Sequence, residues 1–250
     1  HALTNTGARL VIIETAEELE NAFNANTALM HFLNIEADKG RILHEEWVAV
    51  AKKHGVPTSI DIAADVPPVS NLWKFNDMGF DFVVISGGKA IRGPQSAGLL
   101  MGKKSIITAA RLHMPPRGFN IGRGMKVNKE EIFGMYAALK HYIEYDHEAE
   151  WTVWEKNIAV IENAAKSIKG VNSRVFVPPL GNITPTLELT WDTAKLSIKD
   201  LQEKLRNGDP SIEVMPHDDK SIHITVWVMR EGQEKLVAKR LKEVFGAALA

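Results

Sequence analysis

Short strand-like runs at residues 10–13, 28–33, 58–61 and 80–85 alternate with stretches of helical character, and this alternation narrows the available folds more than any other feature. After the first run, Thr15 stands where an N-cap belongs, with Leu19, Ala22 and Phe23 at helical spacing behind it. Residues 43–54 read as a second helix stopped by Gly55, and 73–78 as a short third helix before Gly79. Strands joined through helices need crossover connections, which set neighbouring strands parallel and bury them on both faces. The run at 80–85 is the most hydrophobic of the set and rich in Val and Phe, as a central strand should be. An α/β fold with a mostly parallel sheet is the expected core.

Beyond Gly102 the pattern changes. Residues 103–112 read as a helix, 115–123 as a loop rich in Pro, Gly and Arg, and 129–169 as one long amphipathic helix bent near Asp146. Strand-like runs at 174–177, 186–190 and 222–228, with helices at 197–205 and 232–245, predict a smaller α+β lobe. The expected division is therefore 1–128 for a large domain, 129–170 for a connecting helix and 171–250 for a small C-terminal domain.

Composition closes off several function classes. With 250 residues, 45% of them hydrophobic, the chain can bury a substantial core. Its 30 Lys and Arg balance 31 Asp and Glu, so overall charge favours neither nucleic acid nor an anionic membrane, and a tRNA partner is not expected. The absence of cysteine removes disulfides, thiolate metal sites and cysteine nucleophiles together, and suits a cytoplasmic location. No apolar run approaches bilayer length, and the opening HALTNTGARL lacks a basic stretch followed by an apolar one. The histidines are scattered without metal-ligand spacing, so no metal is expected.

The residues that bear chemistry follow the predicted strands, because ligands of open α/β sheets collect outside the strands' carboxyl ends. Asp61 closes one strand, and Ser86-Gly87-Gly88-Lys89 follows the next. A lysine in a glycine-rich turn after an apolar strand can serve as an amine nucleophile toward a carbonyl. The small residues Ala63 and Ala64 leave room near Asp61 for a flat group. Two readings fit these residue types. Asp61 and Lys89 form a structural ion pair at the sheet's end, or they hold pyridoxal phosphate, which needs a lysine for its Schiff base and an acid for its ring nitrogen.

A resemblance separates the two. The run SGGKAIRGPQSAGLLMGKK, preceded by DIAADVPP and followed by GRGMKVNKEEIFGMYAAL, resembles the pyridoxal-phosphate family containing bacterial L-seryl-tRNA(Sec) selenium transferase (selenocysteine synthase) and D-glucosaminate-6-phosphate ammonia-lyase. The likeness runs through most of the chain from about Thr6. It implies fold type I, the aspartate aminotransferase-like fold, with a large-domain portion and a C-terminal α+β small domain. It implies pyridoxal 5'-phosphate as cofactor, Lys89 as the lysine that bonds to it, Asp61 on the pyridinium nitrogen, Ala63 against a ring face and Ser86 at the phosphate. Substrate-side candidates are Arg92, Gln95, Arg123 and Lys126, the last standing where the selenium transferases tend to show Arg.

For Arg92 a structural role tying down the Gly-Pro turn has equal weight, and Arg117, in the 115–123 loop, is a further cation of interest. Full-length members also carry a segment before the point matching Thr4, supplying a phosphate cup and subunit contacts, so the chain is expected to be part of a longer enzyme. The resemblance implies a homodimer or higher homo-oligomer. The expected activity is α,β-elimination on a small amino acid or amino-sugar acid. A selenium transferase-type β-replacement on seryl-tRNA and a cofactor-free fragment without activity are the alternatives.

Overall fold

The computed structural model describes residues 3–249, which divide into two compact units. The first runs to Tyr145 and takes in Leu180–Asn182; the second comprises Asp146–Pro179 and the residues from Ile183 on.

In the first unit the order is α1 (Ala16–Asn21), β1 (Met30–Leu33), α2 (His44–His54), β2 (Thr58–Asp61), α3 (Asn71–Met78), β3 (Phe82–Ser86), β4 (Gly98–Gly102), α4 (Lys104–Leu112) and α5 (Lys129–Glu144). Thr15 caps α1 in a capping box with Glu18. The sheet order is β1-β2-β3-β4, the first three parallel and β4 antiparallel to β3. One face carries Met30, Phe32, Ile60, Val83 and Ile85 into a core completed by Trp47, Val48 and Ala51 of α2 and Leu72 and Phe75 of α3. Gly79, at φ +115°, ends α3 in a conformation that a side chain would strain, and turns the chain into Phe80 and β3.

One buried polar knot ties the strands at their amino ends. The carboxylate of Asp81 accepts the Thr58 N–H at 2.6 Å and the Thr58 hydroxyl at 3.0 Å, and pairs with the Lys103 ammonium. Burial opposes the charged carboxylate, but Lys103 and Thr58 outweigh it and hold Asp81 below the usual carboxylate range.

The second unit contains α6 (His147–Lys166), β5 (Val171–Phe176), β6 (Thr186–Trp191), α7 (Ile198–Arg206), β7 (Met215–Pro216), β8 (Ser221–Thr225) and α8 (Gln233–Leu249). Its antiparallel sheet, ordered β5-β6-β8-β7, presents Leu187, Leu189, Ile222 and Ile224 to a core shared with Ile158 and Ile161 of α6 and Leu241 and Phe245 of α8. Trp191 lies edge-on to Phe245 at 4.9 Å and donates its indole N–H to the Leu196 carbonyl at 2.6 Å.

Two expectations about elements need correction, and one strand is new. Residues 10–13 form no strand: they pair with no strand among the described residues, and Leu10, Val11 and Ile12 are exposed. The helix expected over 129–169 is two helices, because Tyr145 leaves the helical conformation and the Asp146 carboxylate caps a new start by accepting the Ala149 N–H. The antiparallel β4 is an addition to the expected elements: its glycine ends mask it in the sequence.

Candidate functional site

Parallel pairing sets the site's geometry. Asp61 is in register with Val84, and the pairing extends one residue further through the Ile62 N–H to the Val84 carbonyl at 3.0 Å. Asp61 and Ser86 therefore close adjacent parallel strands at the same end of the sheet, two register positions apart, and Lys89 follows three residues beyond Ser86. Ala63 lies in the turn directly after Asp61. The sheet thus brings Asp61, Ala63, Ser86 and Lys89 to one end, each half-buried.

The Asp61 carboxylate is fixed within its own loop. Its Oδ1 accepts the Ala63 N–H at 2.8 Å, an Asx turn that leaves Oδ2 to meet a donor from outside the loop. The turn is completed by the Asp65 N–H, which bonds to the Ile62 carbonyl at 3.1 Å.

The glycines around Lys89 are there because the turn folds tightly onto its surroundings. A Cβ on Gly87 would stand 2.3 Å from the Met135 Sδ on α5 and 2.7 Å from the Ala97 carbonyl oxygen. A Cβ on Gly88 would meet Gln95 Oε1 at 2.5 Å and Gln95 Cα at 2.7 Å. Backbone bonds then close the turn: Arg92 N–H to the Lys89 carbonyl at 2.8 Å, Gly93 N–H to the Gly87 carbonyl at 2.8 Å, and Gly87 N–H to the Ala97 carbonyl at 2.9 Å. Arg92 pays for this closure with φ of +59°, a left-handed conformation uncommon for a residue with a side chain. Strain of this kind beside a lysine is the sort that accumulates at functional sites.

The substrate-side candidates are less gathered. Gln95 is exposed, and its body packs on Gly88, so it shapes the lysine turn. Arg123, in a 3-10 turn over Ile121–Gly124, and Lys126 just after it are exposed, as is Arg117. Among the described residues, no hydrogen bond or ion pair joins Arg123 or Lys126 to Asp61, Ser86 or Lys89. Sequence reasoning passed over Asp65, an acid only 1% exposed that follows Asp61 by four residues; a charged residue inside the small-residue run DIAADVPP was its one signal.

Comparison with known proteins adds what the chain is similar to. Residues 4–126 match the aminotransferase class-V family. The chain is 26% identical over 241 residues to a D-glucosaminate-6-phosphate ammonia lyase of Salmonella typhimurium, covering 93% of this chain and 61% of that protein. It is 27% identical over 261 residues to an L-seryl-tRNA(Sec) selenium transferase of Aquifex aeolicus, covering 91% of this chain and 56% of that one. A solved structure of D-glucosaminate-6-phosphate ammonia-lyase superposes with a TM-score of 0.77 at 24% identity, over 98% of this chain and 66% of that one. That likeness shows the fold, which is fold type I. The chain spans 56–61% of the length of these two curated relatives.

Proposed function

We propose that this chain, whose residues 4–126 match the aminotransferase class-V family and whose fold is fold type I, supplies the active-site lysine of a pyridoxal-phosphate lyase. The matched class-V family and the ammonia lyase relative are pyridoxal-phosphate proteins, and the residues at the sheet's end suit that group. The observation that carries the reading is the placement of Asp61 and Lys89 after adjacent parallel strands, with one Asp61 oxygen anchored and the other available. Asp61 would hold the ring nitrogen, Ser86 the phosphate and Lys89 the carbonyl carbon, while Ala63 is small enough to lie against the ring. When bound, the group supplies an electron sink for charge developing at the substrate's α-carbon.

This chain's residues do the rest. The Asp61 carboxylate would keep a proton at the ring nitrogen, and the Lys89 amine would take the proton from the substrate's α-carbon. Loss of a β-substituent completes an α,β-elimination, with a small amino acid or amino-sugar acid as substrate. Exposed Arg123 and Lys126 are the proposed anion contacts, with Arg92 and Gln95 as further candidates on the lysine turn. The exposed apolar stripe of α5, with Ile132, Phe133 and Tyr136 between 54% and 72% exposed, supports a homo-oligomer. Among the described residues no helix is long and apolar enough to cross a membrane. The cytoplasm is the proposed location, which the cysteine-free sequence suits.

One observation favours a second reading, β-replacement on seryl-tRNA. Between Lys103 and Lys129 the sequence has seven cations (Lys103, Lys104, Arg111, Arg117, Arg123, Lys126, Lys129) and no acid, all seven exposed, so a local polycation sits in a neutral chain. An assay pairs ammonia and keto-acid release from amino-sugar acids against selenophosphate-dependent conversion of seryl-tRNA. Release of ammonia without tRNA dependence upholds the lyase; turnover confined to seryl-tRNA replaces it with the transferase.

A further inference from the structure

Asp65 is nearly inaccessible, at 1% exposure, yet it ends the very loop that carries Asp61 and Ala63. Its carboxylate has a distant partner. Oδ1 accepts the N–H of Gly181 at 2.9 Å, across 116 residues of sequence. Next to it, the Ala64 carbonyl accepts the Asn182 N–H at 2.5 Å. Gly181 and Asn182 both adopt left-handed conformations, φ +60° and +50°, which direct two successive N–H groups at the same short loop. Ile35, after β1, packs beneath: a Cβ on Gly181 would lie 3.1 Å from two of its side-chain carbons. Residues 180–182 belong to the first compact unit although they lie between β5 and β6 in sequence.

The 61–65 loop is thus clamped from both directions. From inside, Asp61 Oδ1 holds the Ala63 N–H and the Asp65 N–H holds the Ile62 carbonyl. From outside, the Asn71 side-chain amide donates to the Asp65 carbonyl at 2.6 Å, and the 180–182 segment bonds to Ala64 and to the Asp65 carboxylate. A buried carboxylate that loses its donor is costly, so the chain has reason to keep this contact closed. A displacement of Asp65 reaches the Ala63 amide through Ala64 alone, and that amide holds the Asp61 carboxylate.

We infer that Asp65 is a positioning residue: by gripping Gly181 it fixes the 61–65 loop and with it the Asp61 carboxylate. The part of this inference that concerns the cofactor rests on the reading proposed above. Its structural part stands without the cofactor. Hydrogen exchange read at single amides in the whole protein, without added cofactor, tests that part first. Asp65→Ala and Gly181→Ala, one removing the acceptor and the other straining the donor segment, should each lower protection of the Ala63 amide about tenfold. Asp65→Asn keeps an acceptor oxygen and should restore it to within about twofold.

Titration with pyridoxal phosphate, followed by its visible absorption over pH, then reads the same variants. Asp65→Ala should weaken binding about tenfold and move the pH at which the absorption changes, with Asp65→Asn again near the parent. If the Ala63 amide keeps its protection in both alanine variants, Asp65 does not position Asp61 and the inference is overturned. If the parent itself binds no pyridoxal phosphate, the proposed function fails while the exchange result still decides the role of Asp65. Should Asp65→Ala not fold, Gly181→Ala carries both readouts alone.

Discussion

Substituting Gly88 by alanine adds one methyl group where the lysine turn folds onto the Gln95 backbone. That Cβ would stand 2.7 Å from Gln95 Cα and 2.5 Å from Gln95 Oε1. Carbon pairs rest comfortably at about 3.5–4.0 Å, so the clash with Gln95 Cα is about 1 Å deep. The side-chain oxygen can swing away; the backbone carbon cannot. The turn must therefore shift, and forced backbone shifts of this kind cost about 1–3 kcal/mol. For a chain of this size that corresponds to a fall in Tm of about 3–10 °C.

The same shift moves Lys89, and a misplacement near 1 Å costs about 100-fold in rate for a reacting group. Thermal denaturation measures the first effect and borohydride trapping of pyridoxal phosphate on Lys89 the second. Gly118→Ala is the matched control, since a Cβ there meets nothing within 4 Å. Adding Gln95→Ala to Gly88→Ala should recover little, because the Cα obstacle stays. If Gly88→Ala melts with the parent and traps equally well, the turn is looser than described and the reason given for its glycines is wrong.

Other perturbations have equally definite outcomes. Asp81→Ala strips the acceptor from the Thr58 N–H and hydroxyl and leaves Lys103 unpaired; a loss of about 2–4 kcal/mol in urea unfolding is expected, and a loss under 1 kcal/mol would show the knot to be ornamental. Because the Asp81 carboxyl is held low in the folded state, its contribution is complete above the unfolded carboxyl range near pH 4 and declines as pH falls through the folded value.

His44 gives a second pH signature. Burial, with Lys74 adding to it, lowers its pKa against the pull of Glu45 and Asp65, while its Nε2 bonds to Asn34 Oδ1 at 2.7 Å. The folded state thus binds this proton less readily than the unfolded chain, so stability is full above about pH 6.5 and erodes below it. His44→Gln should flatten that slope in urea midpoints compared across about pH 5 to 7.5, and an unchanged slope would assign it to another group.

Much of the first unit could be read from the chain because its local signals agree with each other. Thr15 and Glu18 announce a helix start, Gly55 and Gly79 announce helix stops, and the runs ending at Asp61 and Ser86 are strands in the structure. Residues 10–13 were misread because an apolar run is also what an unpaired segment looks like when ladder partners are absent. The break at Asp146 was visible only as a bend, since an N-cap inside an unbroken amphipathic pattern does not betray that the preceding residue has left the helix.

Of the candidate site, Asp61, Ser86 and Lys89 were legible from their positions after strands. The fit of Gly87 against Met135, and the grip of Asp65 on Gly181, were not. Both join residues far apart in sequence through atoms that no spacing rule connects, so they emerge only when the chain is folded.

The most direct measurement is peptide mapping after the protein is incubated with pyridoxal phosphate and reduced with borohydride, done in parallel on the parent and on Asp61→Ala. A pyridoxyl mass on the peptide containing Lys89, with the parent's visible absorption changed and its affinity sharply reduced in Asp61→Ala, is the expected result. Label spread over exposed lysines such as Lys104 and Lys126, at equal levels in both proteins, would contradict it and reduce Asp61 and Lys89 to ordinary ends of two strands.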